Sequence, residues 1–144
     1  MGQFLDSWQA WALLAALFAA LTAIFAKIGV EAIDSDLATF LRTLVVVAAL
    51  GLLVSATGKL QGWSEVTPRT ALFLVLSGLA TGASWLCYFR ALQLGDAGRV
   101  APVDKLSVVF VAVIAALFLG ERLSGLGWGG VALIAIGSVM VAVG

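Results

Sequence analysis

The chain has 144 residues, of which 62% are hydrophobic and only 11% are charged. Eight Lys and Arg balance eight Asp and Glu, and the chain has one Cys and no His. Soluble domains are about 45–50% apolar and about 25% charged, so this composition excludes a soluble globular domain. The balanced charge also excludes a nucleic-acid partner, which requires a basic excess. The composition therefore predicts an integral membrane protein.

Five apolar segments are each long enough to cross a bilayer, which requires roughly 20 mostly apolar residues per helix. In chain order they cover about residues 10–30, 37–57, 70–92, 100–119 and 124–144. Most charged residues fall between them, and the short alternating segments of a β-barrel are missing. The sequence predicts an all-α, multi-pass protein that forms one transmembrane domain over residues 1–144.

Five charged residues lie inside the predicted spans, where charge is costly and often marks a pathway, a partner or a cavity. They are Lys27, Arg42, Arg90, Asp104 and Lys105. Asp104 could pair with Arg42 or Arg90, which makes Arg42, Asp104 and Lys105 candidates for gating or ion pairing. The plainer alternative is that the long side chains reach the interface and pair there.

The third predicted span carries a stripe of hydroxyl and aromatic residues on one helix face. Their spacing of i, i+4, i+7, i+8 and i+11 places them along one side of a helix, and they are Ser77, Thr81, Ser84, Trp85 and Tyr88. We interpret the stripe as one wall of a substrate cavity. The alternative is that the hydroxyls bond to their own helix carbonyls while the aromatic rings only pack.

The fourth predicted span begins near Val100, which places Pro102 in its first turn, where the missing N–H is tolerated. Gly95 and Gly98 precede it. The connection could flex, or it could be an ordinary tight loop.

The fifth predicted span is rich in glycine. Because lipid provides no hydrophobic drive between helices, their association depends on close packing at small residues. The candidates for helix packing or a dimer contact are Gly125, Gly129, Gly130 and Gly137. The alternative is that these glycines pack against the chain's own helices.

The residues favour transport over catalysis. One Cys and no His provide no metal site, no nucleophile has an evident base, and no phosphate-binding loop is present. We therefore predict a protein that is not an enzyme and has no cofactor and no metal. The remaining classes are a secondary transporter, a channel, which requires a ring of like charge or a carbonyl filter, and a structural or accessory subunit.

Several short motifs resemble the EamA repeat of the drug/metabolite transporter superfamily. They follow one another within the five-span layout as Tyr88-Phe-Arg-Ala-Leu92, Ala101-Pro102, Leu119-Gly-Glu-Arg-Leu-Ser124, Gly130, Leu133-Ile134 and Gly137. Arg42, in Phe40-Leu-Arg42, also resembles that family's arginine in its second helix.

The resemblance implies a secondary transporter or exporter of small metabolites or drugs that works by alternating access. The family typically has ten helices in two inverted five-helix repeats, whereas this chain has one repeat. The resemblance therefore implies a homodimer, either inverted or parallel, in the bacterial or archaeal inner (cell) membrane. A weak bias of basic residues between the two sides of the membrane leaves the orientation open. The small multidrug exporters are a more distant likeness, but their first-helix glutamate is missing before Glu31.

Overall fold

A computed structural model describes residues 7–144 of the chain, and over this range the secondary structure is helical, with no strand. Five helices are long and apolar enough to cross a membrane, which confirms the predicted all-α fold with five spans. We refer to them as spans 1–5, and they are Trp8–Val30, Ser35–Ala56, Pro68–Leu94, Ala97–Leu119 and Gly125–Val143.

Side-chain hydrogen bonds cap the first turns of spans 2 and 5. Span 2 begins after Asp34, whose side chain accepts hydrogen bonds from the backbone N–H groups of Asp36 at 2.9 Å and Leu37 at 3.2 Å. Span 5 begins after Ser124, whose hydroxyl accepts from the N–H of Gly127 at 3.1 Å. These acceptors satisfy N–H groups that have no partner within their own helix.

Span 2 is followed by a left-handed residue and a short helix. Gly58 has a φ of 68°, a conformation that favours glycine. The 3-10 helix Lys59–Glu65 then packs against span 2 and leads to span 3. This segment carries the charged residues Lys59 and Glu65 and the aromatic residue Trp63.

Replacing Asp34 with alanine is expected to lower the free energy of unfolding by about 1 kcal/mol, because the cap of span 2 loses both hydrogen bonds. Asp34→Asn retains an oxygen acceptor and serves as the matched control. Unfolding in mixed micelles with increasing SDS, followed by circular dichroism, measures the difference. Equal stability of the alanine variant and the unmodified protein would contradict this assignment of the cap.

Span 4 is irregular, and here the structure corrects the sequence analysis. The helix begins at Ala97 rather than near Val100, so Pro102 lies in the helix interior and not in its first turn. Proline cannot donate to the carbonyl four residues earlier, and its ring crowds that carbonyl. The first helical segment, Ala97–Asp104, ends two residues later, where the N–H of Lys105 bonds to the carbonyls of both Ala101 and Pro102.

The chain then resumes as a second helical segment, Ser107–Ile114, which widens into the π-helical turn Ala115–Leu119. That turn ends at Gly120, which has a φ of 69° and donates its N–H to the carbonyl of Ala115. Span 4 is thus two short helices joined by a tightened turn. Irregular backbone of this kind, within a membrane helix, commonly accompanies function.

The described chain divides into two compact units, and residues 7–27 with 94–144 form the first. In this unit both helical segments of span 4 pack against span 5. The more covered positions of span 5 share one helix face at a spacing of i, i+4, i+8, i+11 and i+15, namely Gly127, Val131, Ala135, Ser138 and Ala142. Span 5 therefore packs within its unit through this face.

Residues 28–93 form the second unit. Its buried side chains are confined to the end of span 1, the start of span 2 and the end of span 3, and they are Val30, Ser35, Ala38, Thr39, Phe89 and Leu92. The side-chain amide of Gln93 also donates to the backbone carbonyl of Ile33 at 3.2 Å. The core of this unit therefore lies beside the short connection between spans 1 and 2.

Candidate substrate site

Arg42 and the aromatic side chains of span 3 form the most distinctive cluster in the second unit. The guanidinium carbon of Arg42 lies 4.1 Å from the centre of the Trp85 ring and 5.4 Å from the centre of the Phe89 ring. Tyr88 is close enough to interact electrostatically with the same group. A cation over aromatic faces is attracted by their negative π-electron density.

Helix periodicity brings these residues together. On span 2 the covered positions recur at i, i+3, i+4, i+7, i+8 and i+11, and they are Ser35, Ala38, Thr39, Arg42, Thr43 and Val46. Arg42 thus lies on the inward face of its own helix. It is the eighth residue of span 2, so it is about 10 Å along the helix axis from the first residue.

On span 3 the covered face contains Gly82, Trp85, Phe89 and Leu92, spaced i, i+3, i+7 and i+10. This face only partly coincides with the predicted stripe. The structure brings Trp85 and Tyr88 to the Arg42 cluster, and both are half-buried. It leaves the three hydroxyl residues of the stripe exposed, namely Ser77, Thr81 and Ser84.

One hydroxyl of the stripe bonds to its own helix. Thr81 donates to the backbone carbonyl of Ser77 at 2.9 Å, which is the alternative considered for these residues. A threonine hydroxyl bonded in this way can still accept a hydrogen bond through its oxygen. The stripe is therefore an exposed polar strip beside the two aromatic rings.

Phe89 belongs to the site but is not among the predicted site residues. It is only 3% exposed, and it follows Trp85 by four residues, a spacing that places both rings on one helix face. That spacing is a signal in the sequence that could have identified Phe89.

A second polar group lies at the end of span 3. Arg90 donates from Nη1 to the side-chain oxygen of Gln93 at 2.7 Å, and Gln93 donates in turn to the carbonyl of Ile33. Two of the intramembrane arginines thus have different surroundings. Arg90 has a neutral hydrogen-bond acceptor, whereas Arg42 has aromatic rings.

In the first unit, Asp104 and Lys105 form an ion pair of 3.1 Å at the interruption of span 4. Side chains of adjacent residues do not face each other on a regular helix. Asp104 ends the first helical segment of the span, and Lys105 lies in the turn that follows. The ion pair therefore forms at the point where the regular helix is interrupted. In the same unit the ammonium of Lys27 donates to the carbonyl of Gly95 at 3.2 Å.

The glycines singled out in span 5 lie off the face that packs within the unit. A Cβ atom added to any of the four would meet no atom within 4 Å, and they are Gly125, Gly129, Gly130 and Gly137. Gly127, on the packed face, differs, because a Cβ there would lie 3.4 Å from the side chain of Leu123. Among residues 7–144, the predicted glycine surface therefore has room for side chains.

Comparison with known proteins gives this arrangement a family context. The EamA-like transporter family matches residues 6–143. A protein from a Sinorhizobium species, named "uncharacterized transporter in cobO 3′ region", is 62% identical over 138 residues, which cover 96% of this chain and 98% of that protein. No solved structure matches the chain significantly.

The family match covers nearly the whole chain, and the similar protein is a bacterial one with the same extent. Five apolar helices make the chain a multi-pass integral membrane protein, and a bacterial relative is consistent with the predicted inner membrane. Together with the predicted motifs, these matches show that the chain belongs to the EamA-like transporter family.

Proposed function

We propose that the chain is a secondary transporter of small organic solutes that works by alternating access. Two copies, in either parallel or inverted orientation, form the working unit. The observation that carries this proposal is the exposed polar and aromatic surface of span 3 beside Arg42. Hydroxyl and aromatic groups on a membrane helix favour contact with protein, water or a solute over contact with lipid tails.

In the proposed mechanism, Trp85 and Tyr88 provide flat apolar contacts to the solute. Ser77, Thr81 and Ser84 provide hydrogen bonds from the same helix. Arg42 sets the electrostatic character of the cavity, and the Asp104–Lys105 pair acts as a gate element at the irregular turn of span 4.

The two-copy arrangement is supported by the low coverage of the spans within one chain. In each of spans 3, 4 and 5, only 6% of an apolar stretch of 18 residues is buried. In transporters built of inverted repeats, the solute site lies near the bilayer midplane between the repeats. A second copy would supply the second repeat and cover the stripe of span 3.

A counterflow experiment tests this function. The purified protein is first screened for thermal stabilisation by a panel of amino acids, organic acids, amines and nucleosides, since a ligand of the folded state raises its stability. Each stabilising compound is then loaded in proteoliposomes, and uptake of its labelled form is measured. We expect saturable uptake that is accelerated by the same compound on the opposite side.

The same proteoliposomes distinguish the two other classes. A channel would give an ohmic current in planar bilayers and no acceleration by solute on the opposite side. An accessory subunit would give neither flux nor current. Either result, obtained with correctly folded protein, would contradict the proposed transport.

A further inference from the structure

Arg42 has a donor atom that the described part of the chain leaves unused. Its Nη1 nitrogen is buried and has no hydrogen-bond partner among residues 7–144. Buried polar groups are nearly always hydrogen bonded, and an exception commonly marks a functional role or an ion that has not been identified. Within the described residues, Nη1 of Arg42 is the buried side-chain nitrogen or oxygen that lacks a hydrogen-bond partner.

The neighbouring polar groups on span 2 do not serve this nitrogen. The hydroxyl of Thr39 donates to the carbonyl of Ser35 at 2.8 Å, and that of Thr43 donates to the carbonyl of Thr39 at 2.7 Å. Both hydroxyls are thus oriented along their own helix. Two acidic side chains form other interactions: Asp34 caps span 2, and Asp104 pairs with Lys105.

The aromatic rings reduce the free-energy cost of burying the charge of Arg42, but they do not occupy its N–H donors. Trp85 and Phe89 interact with the positive charge of the guanidinium group, whereas its hydrogen bonds are formed in the plane by the N–H groups. An oxyanion approaching in that plane can accept two parallel hydrogen bonds, a geometry that suits carboxylate and phosphate groups. The site therefore lacks an acceptor in the plane of the guanidinium group, a role that an oxyanion fills with two hydrogen bonds.

We propose that Arg42 binds the oxyanion of the transported solute, so that the substrates are small organic anions. This inference rests on the proposed transport function and specifies its substrate class. The charges within the five observed spans agree with it, because the basic residues outnumber the acids Asp36 and Asp104; the basic residues are Lys27, Arg42, Arg69, Arg90, Arg99 and Lys105. Nη1 is covered in this conformation, so the solute reaches it when the neighbouring side chains separate, as alternating access requires.

Small aromatic probes of similar size and different charge test this inference. Benzoate, benzamide and benzylamine share one ring, and phenyl phosphate supplies the other oxyanion. Binding to the full chain in nanodiscs is measured by isothermal titration calorimetry, which does not depend on transport. We expect benzoate or phenyl phosphate to bind at least tenfold more tightly than benzamide, and benzylamine to bind most weakly.

Three variants locate the effect. Arg42→Gln is expected to abolish the preference for the anion, and Arg42→Lys, which keeps the charge and protects the fold, to retain part of it. Arg69→Gln removes an exposed arginine at the start of span 3 and is expected to leave the preference unchanged. Equal binding of anion and amide by the unmodified protein, or an unchanged preference in Arg42→Gln, would overturn the inference.

A carboxylate from a second copy is the competing partner of Arg42. In that case Arg42→Gln would dissociate the dimer without changing anion selectivity, which counting of subunits in the same nanodiscs would reveal and which would also overturn the inference. The proposed function fails separately. Anion binding through Arg42 without any counterflow would contradict transport, whereas counterflow without anion preference would contradict only this inference.

Discussion

Replacing Trp85 with alanine is expected to abolish solute transport and to lower the free energy of unfolding by about 2–3 kcal/mol. The ring lies 4.1 Å from the guanidinium carbon of Arg42, and a cation–π contact removed from water contributes about 2 kcal/mol. Loss of the ring also leaves a cavity beside Phe89 and removes apolar contact area. Arg42 would then retain only the more distant Phe89 ring, 5.4 Å from its guanidinium carbon, as a cation–π contact.

Two tryptophan variants provide the comparison. Trp63 lies in the 3-10 helix between spans 2 and 3 and is 78% exposed, so Trp63→Ala is expected to change stability by less than about 0.5 kcal/mol. Trp85→Phe keeps an aromatic face and is expected to retain part of both stability and transport. Unfolding by SDS in mixed micelles and counterflow in proteoliposomes measure the two effects.

A double-mutant cycle assigns the stability change to the contact itself. The variants Arg42→Gln, Trp85→Ala and their combination are compared, and a coupling energy of about 0.5–2 kcal/mol is expected for groups in direct contact. A coupling of zero, or a Trp85→Ala protein as stable and active as Trp63→Ala, would show that the ring does not support Arg42.

The span pattern could be predicted from the sequence because each span is a long apolar run bounded by charged or turn-forming residues. Asp34, Gly58 and Gly120 all lie at such boundaries, and each has a local role that depends only on its neighbours in the chain. Fold class in a membrane follows from these local rules, since a spanning helix must satisfy its own backbone hydrogen bonds.

The site was predicted less completely because it depends on contacts distant in sequence. Both Arg42 and Trp85 were singled out separately, but their approach to each other across 43 positions of the chain is set by the packing of spans 2 and 3. The role of Pro102 was misassigned for a local reason. The helix begins a few residues earlier than the apolar run, and this shift moves the proline from the first turn to the interior.

Replacing both Gly130 and Gly137 with leucine is expected to weaken dimer formation at least tenfold, or about 1.4 kcal/mol, and to reduce transport accordingly. The two glycines are seven residues apart, which places them on nearly the same side of span 5. Helices associate in lipid through close contact at small residues. Two leucine side chains would hold the second copy away from this surface.

The fold of one copy is expected to survive this change, which separates association from stability. A Cβ at Gly130 or Gly137 meets nothing within 4 Å, and span 5 packs in its own unit through a different face. Gly51→Leu is the matched control, because Gly51 also lies in a membrane span with open space around it. Single-molecule photobleaching in liposomes at low protein density measures the fraction of dimers.

If the double variant dimerises as well as Gly51→Leu, the glycine surface is not the contact between copies. If it fails to fold, the glycines instead serve packing that the described contacts do not include. The expected result is a folded, monomeric and inactive protein, because one five-helix chain then retains the Arg42 cluster but lacks the second repeat that we propose covers it. That combination would link the glycine surface of span 5 to transport through association alone.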